Sequence, residues 1–162
     1  MKELEIAIAL RKEGKLKESN EVLVTLASHY PDNSLINYQC AWSFDVLSLE
    51  KEAVPYYEKA ILIGLPDIEL QGAILGLGST YRTLGKYQKS KEVFEKGLDK
   101  FTDDRVMKVF YAMTLYNLNE HSKAMEILLT NLAQTSSDEN IQAYKKAIEF
   151  YSDKLDEILW FL

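Results

Sequence analysis

The stretch Leu77-Gly78-Ser79-Thr80-Tyr81-Arg82-Thr83-Leu84-Gly85-Lys86-Tyr87-Gln88-Lys89-Ser90-Lys91-Glu92-Val93-Phe94-Glu95-Lys96-Gly97-Leu98 decides how the rest of the chain is read. Small residues stand at Gly78, Ser90 and Gly97, large ones at Tyr81, Tyr87 and Phe94, and Gly85 interrupts the middle. Apolar spacings of three and four on either side of Gly85 predict two amphipathic helices joined by a short turn. The small residues let the two helices approach, and the large ones fill the space between them.

Working outward, the same order of large and small residues returns at a fixed period, the signature of stacked repeats. A shift of 34 residues forward finds Tyr111-Ala112, Leu115, Asn119, His121, Ala124, Leu128, Asn131 and Leu132. A shift of 37 back finds Cys40-Ala41, Phe44, Ser48, Glu50, Ala53, Tyr57, Ala60 and Ile61, and a further 34 back finds Ile6-Ala7, Leu10, Gly14, Leu16, Ser19, Leu23, Leu26 and Ala27. Four helix pairs are therefore expected, at residues 2–13 and 16–29, 35–47 and 51–63, 67–84 and 88–100, then 104–117 and 121–134. Their turns centre on Gly14, Ser48, Gly85 and Asn119. The extra residues in the 37-residue interval fall at Ile63-Gly64-Leu65-Pro66-Asp67-Ile68-Glu69, where Pro66 ends one helix, Asp67 can cap the next, and the following helix gains length at its start. Other expected caps are Asp32 or Ser34, Asp103 or Thr102, and Ser137 or Asp138.

The repeat resembles the tetratricopeptide repeat, most closely in the third copy, where Leu77-Gly78, Tyr81, Gly85, Tyr87, Ser90, Phe94 and Gly97 follow the family pattern nearly site for site. The departures are serine for the customary alanine at Ser19 and Ser90, Asn131 and Leu26 at the later small site, and a closing proline only at Pro31 and Pro66. The resemblance implies an all-α fold: a right-handed superhelical solenoid of helix-turn-helix repeats with a C-terminal capping helix. One domain over 1–162 is expected, with repeats at about 1–33, 34–70, 71–104 and 105–137. A single long cap helix is expected over 138–162, with Ile141, Tyr144, Ile148, Tyr151, Leu155 and Ile158 as its apolar stripe.

Composition excludes several other classes. Of 162 residues, 47% are hydrophobic while only 7 are Gly and 3 Pro, which excludes collagen-like and disordered chains. A net charge of −6 lacks the basic footprint of nucleic-acid binders, so no nucleic-acid partner is expected. The lone Cys40 forms no internal disulfide and reads as a small core hydrophobe. Charges crowd the first twenty residues, and no uncharged run is longer than Leu70 to Tyr81, which is short and interrupted by glycines. Neither a signal peptide nor a membrane span is expected, and the expected location is cytoplasmic.

No catalytic constellation is present: His29 and His121 stand apart from any nucleophile, no His/Cys/Asp/Glu set has metal-ligand spacing, and Gly72, Gly76 and Gly78 lie within a helix rather than at a phosphate-cradling turn. The carboxylate pairs Asp103-Asp104, Asp138-Glu139 and Asp156-Glu157 read as caps or solvated ends. No enzyme activity, metal or cofactor is expected.

Within the resembled family the first helix of each pair lines a concave groove that contacts a partner peptide. Carried onto this chain, the groove positions are Leu4, Ile8 and Arg11, then Tyr38 and Trp42, then Ser79 and Arg82, then Phe110, Met113 and Tyr116. Leu4, Ile8, Gln39, Gly72 and Gly76 replace the lysines and asparagines with which some relatives grip a peptide carboxylate, so that clamp is not expected. The expected function is a non-catalytic adaptor binding a protein or peptide segment, with Gly72 and Gly76 marking a deep aromatic-walled pocket; packing of these residues against one another is the competing reading. The run Ile158-Leu159-Trp160-Phe161-Leu162 is too apolar to stay in water. Folding back on the cap, docking onto a second copy as a homodimer through Trp160, Phe161 and Leu162, and meeting another partner or a membrane surface are the open alternatives.

Overall fold

The computed structural model describes residues 2–158. Among them are ten helices and no strand: α1 (Lys2–Lys12), α2 (Leu16–His29), α3 (Ser34–Asp45), α4 (Glu50–Ile63), α5 (Asp67–Thr83), α6 (Tyr87–Lys100), α7 (Arg105–Asn117), α8 (His121–Thr135), α9 (Glu139–Ala143) and α10 (Lys145–Tyr151). The first eight form four helix-turn-helix pairs whose ends fall within two residues of the sequence reading. The chain divides into two compact units, Met1–Val93 and Phe94–Leu162.

The turns follow from one local rule. Gly14, Ser48, Gly85 and Asn119 have φ of +80°, +58°, +71° and +62°, the left-handed conformation that ends a helix. The next amide closes each turn onto the preceding helix: Lys15 N–H donates to the Leu10 carbonyl at 2.9 Å, Leu49 to Phe44 at 3.0 Å, Lys86 to Tyr81 at 2.8 Å and Glu120 to Leu115 at 2.9 Å. Glycine meets this φ without strain; Ser48 and Asn119 carry a β-carbon into it.

In the first unit, Leu4, Ala7, Leu23, Leu26, Ile36 and Cys40 form one buried cluster, and Ala41, Ala53, Tyr57, Ala73, Leu77 and Tyr81 form another. Burial pushes the Cys40 thiol up to about 12, which suits a packing role. The family's customary alanine sites hold serines for a reason visible here: Ser19 donates to the Ala7 carbonyl and Ser90 to the Gly78 carbonyl, both at 2.7 Å and buried, so each hydroxyl ties the second helix of a pair to the first. At 17 residues α5 is longer than α3 at 12, and its added first turn leaves Ile68 81% exposed.

In the second unit, Ala112, Leu115 and Ala124 are buried with Tyr111, Ile127 and Leu128 against them. Asn131 accepts from the Arg105 guanidinium at 3.1 Å and donates to the Arg105 carbonyl at 3.2 Å, which accounts for a polar residue at a small-residue site.

Three caps differ from the sequence reading. Asn33 rather than Asp32 or Ser34 accepts from the Ile36 amide, Asp104 rather than Asp103 or Thr102 accepts from Met107, and α5 starts behind Pro66 with no side-chain cap. Asp138 caps α9 as expected.

The expected single cap helix over 138–162 is corrected: it breaks at Tyr144 (φ −101°, ψ 9°) and α10 ends at Tyr151. Side-chain bonds to the backbone explain both events. Gln142 donates to the Ala133 and Ser136 carbonyls at 3.0 and 2.7 Å, drawing α9 over the end of α8. Ser152 donates to the Glu149 carbonyl and Lys154 to that of Phe150, satisfying the end of α10. α10 packs on α8, while Tyr144, Tyr151 and Leu155 of the expected stripe stay exposed.

Candidate functional site

Helices α1, α3 and α5 lie side by side in the first unit, with α3 in contact with both others. Tyr38 and Trp42, one turn apart on α3, project from the same face and stack at 6.1 Å between centroids. The Arg11 guanidinium, from α1, lies over the Trp42 ring at 3.9 Å. One arm of it donates to the Gln39 side-chain carbonyl at 2.5 Å and another to the Gln39 backbone carbonyl at 3.4 Å. Trp42 nonetheless remains 41% exposed. The result is a half-buried cation and an open aromatic ring held side by side on rigid helices.

Burial lowers the affinity of the Arg11 guanidinium for its proton, with Tyr38 and Tyr57 opposing that shift, and raises the Tyr38 hydroxyl above its ordinary value. Guanidinium nonetheless stays charged in proteins. Arg11 therefore presents a fixed positive charge whose hydrogen bonds go to neutral oxygens of Gln39.

Behind this surface lies a buried polar link that sequence reasoning missed. Tyr57 of α4 donates to one Asp45 carboxylate oxygen at 2.6 Å, and Thr80 of α5 donates to the other at 2.9 Å. Burial pushes Asp45 above the usual carboxylate range, against the pull of these two bonds, and pushes the Tyr57 hydroxyl far up. The available signal was Tyr57 itself, which puts a hydroxyl where the other copies hold Leu23, Phe94 and Leu128.

The two glycines mark something other than an open pocket. A β-carbon at Gly72 would overlap the Tyr38 hydroxyl, and one at Gly76 would overlap the Tyr57 ring tip. Their space is already filled by tyrosines of the neighbouring repeat, which corrects the expected deep pocket at that point.

The remaining expected positions are distributed differently. Leu4 is only 8% exposed and belongs to the core, and Ile8 packs against that same cluster, because α1 turns these residues toward α2. Ser79 donates to the Gly76 carbonyl within α5 at 3.1 Å, and Arg82 is half-buried on the same helix. In the second unit, Phe110 is half-buried while Met113 and Tyr116 are exposed on α7, Tyr116 meeting His121 edge-on at 4.8 Å. Trp160, Phe161 and Leu162 lie outside the described residues. A separate cleft of about 420 Å³, between Glu3 of α1 and Glu21, Val22 and Leu26 of α2, was not expected from the sequence.

Among the described residues no three His, Cys, Asp or Glu side chains gather as a metal cluster, and no helix is long and apolar enough to cross a membrane.

A family model described as "Tetratrico peptide repeat" matches residues 34–155. Superkiller protein 3 of Saccharomyces cerevisiae is 22% identical in an alignment covering 62% of this chain, which spans only 7% of that protein's length. A tetratricopeptide repeat protein from Parabacteroides merdae superposes with a TM-score of 0.74 at 18% identity, covering 91% of this chain and 57% of that one. The APC/C hetero-tetramer Cut9-Hcn1 gives 0.71 at 18% identity, covering 90% of this chain and 29% of that one. YrrB, described as a TPR protein with an unusual peptide-binding site, gives 0.64 at 14% identity, covering 96% and 91%.

Proposed function

This chain belongs to the tetratricopeptide repeat family, and we propose that it is a non-catalytic interaction module that takes a segment of another polypeptide on the face formed by α1, α3 and α5. The observation that carries this reading is Trp42, 41% exposed on a rigid helix between Arg11 and Tyr38. A large aromatic ring left in water at the centre of a helix face is costly unless something covers it, and such rings dominate binding energy where a partner does. An apolar side chain of the ligand would lie on Trp42, with Arg11 reading an acidic neighbour. Two similar structures support the class: one is described as an assembly of Cut9 with Hcn1, the other as having a peptide-binding site. Met113 and Tyr116 on α7 offer a second apolar contact surface within their own unit. A reducing, cytoplasmic setting suits the buried free thiol of Cys40.

Affinity capture with the wild-type chain and with Trp42→Ala, both verified by circular dichroism, tests the proposal. A bound protein retained by the wild type should be lost in the variant, which gives up about 2 kcal/mol of contact, roughly 30-fold in affinity. Equal retention by a folded Trp42→Ala chain contradicts it.

A further inference from the structure

Two features of this chain call for complementary cover. On the first unit, the Arg11 guanidinium is half-buried, its hydrogen bonds go to Gln39, and no carboxylate among the described residues pairs with it. A cation withdrawn from water with only neutral neighbours favours an anion placed beside it. Trp42, in contact with that same guanidinium, offers a flat apolar surface. The occupant that satisfies both carries a carboxylate next to a large apolar side chain.

The last stretch of the chain spells out this combination: Asp156-Glu157-Ile158-Leu159-Trp160-Phe161-Leu162. Ser122 donates to Asp156 at 2.5 Å, whereas Glu157 is exposed and Ile158 is 76% exposed, so an acidic and an apolar side chain face water side by side. Four further residues can reach about 13 Å beyond Ile158, enough to lay an aromatic side chain on Trp42 while Glu157 meets Arg11.

We infer that the Arg11–Trp42 face of one copy receives the 156–162 segment of a second copy, with Glu157 against Arg11 and Trp160 or Phe161 on Trp42. The inference rests on the reading that this face binds a polypeptide segment, and it names that segment. Because the donor segment and the receiving face differ, two copies can exchange segments reciprocally about a two-fold axis, or copies can join head to tail in a ring or filament. An outside partner would then compete with the tail for the same ring.

Sedimentation equilibrium of the full chain tests this across a range of concentrations, with folding of each variant checked by circular dichroism. The wild type should exceed the mass of a single chain, and Trp160→Ala with Phe161→Ala, which leaves every repeat intact, should remain single. Arg11→Glu and Glu157→Arg should each weaken association roughly tenfold or more, and the two together should recover most of it. If Arg11→Glu fails to fold, Glu157→Arg and the tail variant carry the test. A wild type that stays single at every concentration while Trp42→Ala still loses a captured protein overturns the tail as occupant and leaves the binding face standing. Self-association undiminished by Trp42→Ala or by the tail variant overturns the tail as occupant of this face, and equal retention of a captured protein by Trp42→Ala overturns the binding face itself. Reversed charges that fail to recover overturn the Glu157–Arg11 pairing.

Discussion

Ser48 and Gly85 do the same backbone work with different chemistry, and the difference is measurable. Both end a helix at positive φ, and a β-carbon at Gly85 would meet nothing, so only backbone strain separates glycine from alanine there. Gly85→Ala should cost about 1–2 kcal/mol in urea unfolding, and Ser48→Gly should recover part of the same strain. A neutral Gly85→Ala would mean that the turn relaxes out of the left-handed region. Asp45 supplies a second test. Its carboxyl is held above the ordinary value of 3.8, chiefly by burial. A group that binds its proton more tightly when folded stabilises the fold most while protonated, and that contribution declines as pH rises from 3.8 through the raised folded value. The stability of wild type relative to Asp45→Asn should therefore fall as pH rises through that window; a difference that is flat with pH contradicts the assignment. Turn residues were legible in the sequence because their demand is local. The Tyr57–Asp45–Thr80 link was not, because it joins three helices whose side-chain directions a repeat register fixes only once the packing is known.

At the scale of the element, the four helix pairs were readable because each repeats one pattern of large and small residues. The departures from that pattern proved to be hydrogen bonds: Ser19 and Ser90 tie the two helices of a pair together, and Asn131 holds Arg105. Ser19→Ala should lower stability by about 1 kcal/mol rather than more, since the Ala7 carbonyl still lies within its helix and is not orphaned. A loss above 3 kcal/mol would point to a packing role instead. The cap region was misread for a physical reason. Its apolar spacing of three and four is uninterrupted, but Gln142, Ser152 and Lys154 offer side-chain partners that compete with a continuous helix, and spacing alone does not register such competition. Gln142→Ala should raise amide exchange in α9 and α10 while leaving α1–α5 unchanged. Unchanged exchange in α9 and α10 would show that α10 is held by its packing on α8 alone.

For the molecule as a whole, family and fold followed from the repeat, whereas the candidate face emerged only in part. Register put Arg11, Tyr38 and Trp42 on one face, and the structure brings them side by side; Leu4 lies in the core with Ile8 packed against it, and the space beside Gly72 and Gly76 is filled by Tyr38 and Tyr57. Register tells which residues share a helix face, but how far each helix rotates toward its neighbour decides which of them reach water. The central claim is that Trp42 sits beneath a bound polypeptide. Placing the photo-crosslinking residue p-benzoylphenylalanine at position 42, with exposed Thr25 on α2 as the control position, tests it most directly. The account predicts a polypeptide adduct on irradiation at position 42 and none at position 25; no adduct at 42, or equal adducts at both positions, would contradict it.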